Sequence, residues 1–122
     1  SNWIPSSATD PSPAFVALTD GATVTWATGG SKVNNAYVQL GGARALTITG
    51  LVDGATGVLV VTQDGTGGRT LSLPSSGVTS KVVNTGSGAW TPTTGVSKVD
   101  ILSFVYRHSN TTLYWTVGKD YT

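Results

Sequence analysis

Residues 58–73 read VLVVTQDGTGGRTLSL: two β-rich runs flank a cluster of Asp, Thr and Gly. Gly accepts the positive φ of tight turns, and the flanking Val and Leu suit a pleated, half-buried surface. The pattern predicts a hairpin. Similar punctuation recurs at Asp20-Gly21, Gly29-Gly30, Gly41-Gly42, Asp53-Gly54 and Pro74-Ser75-Ser76-Gly77. Between these marks lie short extended runs at 15–18, 23–26, 36–40, 46–49, 58–63, 69–73, 81–83, 99–106 and 113–117. No segment sustains an apolar period of 3.6, so no helix is expected. About eight to ten strands at such spacing predict an all-β fold, an antiparallel β-sandwich. The long crossing over 75–94 favours a Greek-key route, hence a jelly-roll-like arrangement. The unbroken apolar run Val58-Leu59-Val60-Val61 predicts a strand covered on both faces.

The 122 residues fit one domain at 14–122, preceded by an arm at 1–13 that holds three of the five prolines. Trp3 and Ile4 are the large apolar groups of that arm, and they are expected to dock on a neighbouring subunit or an upstream domain. The start Ser1-Asn2, without Met, reads as a piece of a longer polypeptide or as a tag remnant. Charged residues make up 11%, against roughly 25% in ordinary soluble domains. A net charge of +1 with scattered Lys and Arg provides no stripe for nucleic acid. No apolar run has the length of a membrane span, so no membrane insertion is expected. A hydroxyl-rich, charge-poor exterior suits packing against copies of the same chain.

The inventory for catalysis is thin. Cys is absent and His108 is the single histidine, so no cofactor and no metal site is expected. All six acidic residues are Asp. Asp20, Asp53 and Asp64 each precede Gly, where a short side chain bonding the local backbone favours a turn. Asp100 lies in a strand near Lys98, and an ion pair or subunit contact is expected there rather than catalysis. Gly65-Thr66-Gly67-Gly68-Arg69 lacks the Lys-Ser/Thr ending and following helix of a phosphate cradle. Trp26 and Trp115 fall on apolar strand faces and belong to the core. Trp90, in a loop, reads either as an anchor or as part of a glycan or subunit contact. Tyr106 and Tyr114 flank the His108 turn, where a small aromatic surface patch is expected.

Asp53-Gly54-Ala55-Thr56, the run from Val60 through Leu71, Val99-Asp100-Ile101-Leu102-Ser103-Phe104 and Leu113-Tyr114 together resemble a module of tailed-bacteriophage virion proteins. Such modules stand toward the C-terminal end of tail-fibre or appendage chains. Leu40-Gly41-Gly42-Ala43-Arg44-Ala45-Leu46 is similar to that module's Leu-Gly-Gly-Asn-Arg-Thr-Leu, with Ala43 and Ala45 departing from it. Gly118-Lys119-Asp120-Tyr121 resembles its chain end. The resemblance implies a non-enzymatic β-sandwich of the virion, commonly homotrimeric, serving host attachment or decoration. Its expected partners are its own copies, other virion proteins and a host cell-surface glycan. The competing expectation is a carbohydrate-binding module of a secreted bacterial protein, monomeric with a row of exposed aromatics. A small depolymerase, the third class, requires a close carboxylate pair.

Overall fold

The computed structural model describes residues 14–121. Nine strands follow in order: β1 (Val16–Ala17), β2 (Thr23–Ala27), β3 (Val33–Leu40), β4 (Arg44–Thr49), β5 (Thr56–Gln63), β6 (Leu71–Ser72), β7 (Thr79–Val82), β8 (Val99–Arg107) and β9 (Thr112–Tyr121). The one helical piece among the described residues is a 3-10 turn at His108–Asn110. The fold is all-β, with strands close to where alternation and Gly punctuation place them. Trp3 and Ile4 lie outside the described residues.

The strands form a six-stranded sheet, order β1-β3-β5-β8-β9-β7, and a three-stranded sheet, order β2-β4-β6. From β1 to β6 the chain alternates between the two sheets at every strand. Each strand therefore pairs in parallel with the strand two elements later: β1 with β3, β3 with β5, β2 with β4, β4 with β6. Val16 lies opposite Ala36, Ala36 opposite Leu59, Val24 opposite Leu46 and Arg44 opposite Leu71, so one turn of this coil takes 20 to 27 residues. Only β5–β8 and β8–β9 are antiparallel. The β7 strand closes the sheet in parallel with β9.

The two sheets face each other as a sandwich predicts, but this pairing corrects the expectation that its strands, as in a jelly roll, run antiparallel. The 58–73 segment is not a hairpin either: β5 and β6 belong to different sheets. Its Asp-Gly-Thr-Gly-Gly cluster turns the chain through a corner from one sheet to the other. Gly67 and Gly68 have φ of 74° and 72° there, a need that a corner shares with a hairpin turn. Parallel neighbours ordinarily require a long crossover. Here a strand in the opposite sheet serves as that crossover.

The inner faces of both sheets meet in one apolar core. Val24, Trp26, Leu46 and Leu71 from the small sheet pack in one cluster with Ala36, Leu59, Leu102 and Trp115 from the large one. Phe104 is the pivot, edge-on to Trp26 at 5.4 Å and tilted against Trp115 at 5.3 Å between ring centroids. Such contacts add to the area term. Gly57 makes room for them, because a Cβ there would overlap the Phe104 ring and come within 2.9 Å of Trp26 Cη2. Trp26 and Trp115 are thus core residues, as their positions on apolar faces predict.

Polar groups enter the core only with partners. The Trp115 indole N–H donates to Ser80 Oγ at 3.1 Å, and Ser80 donates to the Pro74 carbonyl at 2.6 Å. Buried Gln63 accepts from Arg69 N and donates to the carbonyls of Arg69 and Thr93. Buried Asp100 accepts from Thr93 N, Thr93 Oγ1 and Asp120 N, each at 2.8 Å. These bonds hold the irregular crossing between β7 and β8 against the sheet end. Lys98 pairs with Asp120 at 3.0 Å rather than with Asp100. No buried side-chain nitrogen or oxygen among the described residues lacks a partner, as burial requires.

Candidate functional site

Two regions carry the residues that the sequence nominates. The first is the tip of the β8–β9 hairpin. Tyr106 OH and His108 Nδ1 are hydrogen-bonded at 3.2 Å, and their rings meet edge-on. Asp53 Oδ1 accepts the His108 backbone N–H at 2.9 Å, while Tyr106 exchanges backbone bonds with Gly54 and Ala55. Asp53 therefore does more than form its own turn: it fastens the hairpin tip to a corner of the coil.

The expected aromatic patch does not form at this tip. Successive residues of a strand alternate faces, and Tyr106 shares the inward side with its partner Leu113, whereas Tyr114 shares the outward side with Val105. Tyr106 is buried and Tyr114 is 40% exposed. The Tyr114 hydroxyl accepts from Asn110 Nδ2 at 3.1 Å. Trp90 belongs to the opposite end of the strands. Its indole N–H donates to the Leu71 carbonyl at 3.0 Å and its ring packs on the core, so it is a loop anchor. With Trp26, Trp115 and Tyr106 buried and Trp90 half-buried, these rings make no exposed aromatic row for sugar stacking.

The second region is the outer face of the six-stranded sheet, and sequence reasoning reached it only indirectly. Alternation points Tyr37, Val58, Val60, Ile101, Val105 and Tyr114 outward. Tyr37 is 48% exposed and Val105 50%. Val58 and Val60 were expected to be covered on both sides, yet no described element lies over this face. The outward positions interspersed with these are Asn35, Gln39, Thr56, Thr62, Ser103 and Thr116, all uncharged. Charge enters only at the margins, with Arg107 near the tip and Lys81 on the β7 edge. Four strands about 4.8 Å apart, each about seven residues long, give this face a projected area of roughly 450 Å². Polar and apolar positions alternate over it, so the apolar part is roughly half of that area.

The charged residues cluster instead at the coil corners. Asp20 and Arg44 form a two-point ion pair at 2.9 Å, and Asp20 also accepts from Gly41 N in the next corner. The Arg44 guanidinium beside it holds the Asp20 carboxyl below its ordinary range, with the Gly41 N–H adding to the effect. Asp64 pairs with Arg69 at 3.0 Å and accepts from the backbone N–H of Thr66 and Gly67. Those bonds, that of Arg69 foremost, lower the Asp64 carboxyl to about 2. Arg44 is held above its ordinary value by Asp20 first and by the charge of Asp64 as well. The Asp20–Arg44 pair thus ties successive turns of the coil together, and the Asp64–Arg69 pair braces the single corner between β5 and β6.

Among the described residues no group of three or more His or Asp side chains is placed to hold a metal ion. Both Asp100 oxygens are committed to the loop and to β9. Comparison with protein-family models, curated proteins and solved structures returns no match for this chain.

Proposed function

We propose that this chain is a non-enzymatic virion module of a tailed bacteriophage, a homotrimeric fibre or appendage tip serving host attachment or decoration. The observation that carries the reading is the uncovered outer face, without charge across β3, β5 and the Val99–Val105 part of β8, where Tyr37, Val58, Val60, Ile101 and Val105 stand among Asn, Gln, Thr and Ser. Within a single chain those valines face water; three copies turning this face toward a common axis bury it. Closed symmetry then leaves the corners and hairpin tips outside, three to a particle. Weak contacts per copy add up through the high effective concentration that such symmetry creates. The resemblance of the strand-and-turn series to virion modules supports the same reading.

Light scattering on the eluting protein tests it. The expected mass is three times 12.5 kDa. A double variant, Tyr37→Lys with Val105→Lys, places like charges on the face and is expected to elute as a single chain with an unchanged β spectrum. Both residues are half-exposed, so the fold tolerates the change. A wild-type protein that stays monomeric at high concentration overturns the trimeric reading, as does a trimer that the double variant leaves intact.

A further inference from the structure

Charge is divided unequally between the two ends of the strands. One end holds the 41–43 and 64–70 corners and the finish of β9. Among the described residues it balances Asp20, Asp64, Asp100 and Asp120 against Arg44, Arg69, Lys98 and Lys119. The other end holds the 28–32 and 50–55 corners and the β8–β9 turn. Lys32, Arg107 and, on β7, Lys81 stand there against Asp53 alone. Asp53 is turned to the His108 backbone N–H. Among the described residues Arg44, Arg69 and Lys98 have carboxylate partners, whereas Lys81 and Arg107 have none. With His108 neutral, the net positive charge of the described chain sits at the hairpin tip.

Register gathers two of these cations around an exposed ring. Tyr114 lies opposite Val105 on one side and opposite Lys81 on the other. Arg107 lies opposite Thr112, two residues along β9 from Tyr114. Lys81, Tyr114 and Arg107 all belong to the outward rows of their strands, and all three are exposed. Lys81 is a direct cross-strand neighbour of Tyr114 and Arg107 a diagonal one, about 7–8 Å away, within reach of long side chains. Asn110 Nδ2 donates to the Tyr114 hydroxyl at 3.1 Å, which fixes that end of the ring.

Each part answers one feature of an acidic sugar. The Tyr114 ring offers a flat apolar surface to the C–H face of a pyranose, while its hydroxyl end stays polar. Arg binds a carboxylate through two parallel N–H donors, and Lys supplies a flexible point charge. A neutral sugar leaves both cations unanswered, and a bare polyanion leaves the ring unused. We infer that Lys81, Tyr114 and Arg107 form a site for a carboxylate-bearing sugar of an acidic polysaccharide. The site rests on the attachment role proposed above and names the class of surface glycan that role would serve. It lies at the rim of the face turned toward the trimer axis, so closure leaves three copies open at one end of the particle.

Polygalacturonate and polysialate, both carboxylated, are the probes, with neutral dextran and inorganic polyphosphate as contrasts. Binding to the immobilised polymers is measured at physiological salt, where plain surface attraction is largely screened. The wild-type protein is expected to bind at least one carboxylated polymer about tenfold or more tightly than either contrast. Lys81→Gln with Arg107→Gln is expected to lower that affinity about tenfold or more, and Tyr114→Thr to do the same with both cations intact. Tyr114→Phe keeps the ring and is expected to keep binding. All these positions are exposed, and an unchanged β spectrum confirms the fold of each variant. No binding to either carboxylated polymer, equal binding to a contrast, or binding that Tyr114→Thr leaves unchanged each overturn the inference. A trimer that binds neither carboxylated polymer removes this site and leaves the virion reading in place. A single chain that binds with the expected variant pattern does the reverse.

Discussion

The β1–β6 coil and the β8–β9 hairpin solve the same problem in opposite ways. In the coil every ladder joins strands one full turn apart, and the connecting corners are rich in Gly and carry the Asp–Arg pairs. In the hairpin the partners are adjacent in sequence, and the turn Arg107-His108-Ser109-Asn110-Thr111 contains no Gly at all. Its one left-handed residue is Thr111, with φ 47°. Turn chemistry thus points the wrong way in this molecule. The Gly-rich marks are corners between sheets, and the Gly-free one closes the hairpin. A residue that accepts positive φ shows that the chain bends, not which strand it bends toward.

The two regions are joined through Phe104, which touches Trp26 in the coil and Trp115 in the hairpin. Phe104→Ala is therefore the strongest way to break the comparison. It is expected to cost about 3–5 kcal/mol, lost in one cooperative urea transition seen alike by tryptophan fluorescence and circular dichroism. Two separate transitions in the wild-type protein would mean that coil and hairpin fold as independent units.

Asp100→Ala comes next. It strands the Thr93 and Asp120 donors near the junction of the hairpin with the irregular crossing, at an expected cost of about 2–3 kcal/mol. Limited proteolysis should then cut within 83–98 before any other site, whereas an unchanged cleavage pattern would leave the crossing held by Gln63 and Trp90 alone. Thr111→Asn works in the other direction. A β-branched residue in the left-handed region is strained and Asn is at ease there, so a gain of about 0.5–1 kcal/mol is expected in the denaturation midpoint. Loss of stability would show that the Thr111 hydroxyl bond to Asn110 outweighs the strain.

The smallest effect belongs to the coil corners. Asp64 has its carboxyl lowered to about 2 in the folded chain, against about 3.9 for an unfolded Asp. Its contribution is thus complete above the unfolded value and disappears as pH falls through about 2. Acid titration of stability should show this limb between roughly pH 4 and 2, and Asp64→Asn should flatten it. Because the pair is only partly buried, added salt should shrink the limb too.

Much of the nominated chemistry was legible residue by residue. Alternation assigned Trp26 and Trp115 to the core, and the Asp64 side chain bonds its own turn as an Asp-Gly sequence leads one to expect. Tyr106 and Tyr114 were misread as neighbours because they flank one turn; their opposite parity across the ladder sends them to opposite faces. Asp53 and Asp20 reach backbone donors 55 and 21 residues away, distances at which no local pattern speaks. The outer face was half visible. The run Val58-Leu59-Val60-Val61 announced apolar side chains on both sides of β5, but only the packed fold revealed that one side has no cover.

By itself the sequence determined where the chain is extended, where it bends and which side chains of each strand share a face, because these depend on φ preferences and a period of two that neighbouring residues set between them. Only the tertiary structure decided which strands pair, and in which direction. Backbone hydrogen bonding is indifferent to side-chain identity, so partners are chosen by how two apolar faces close on one core. Here that closure made a parallel coil where the same turns permitted an antiparallel sandwich.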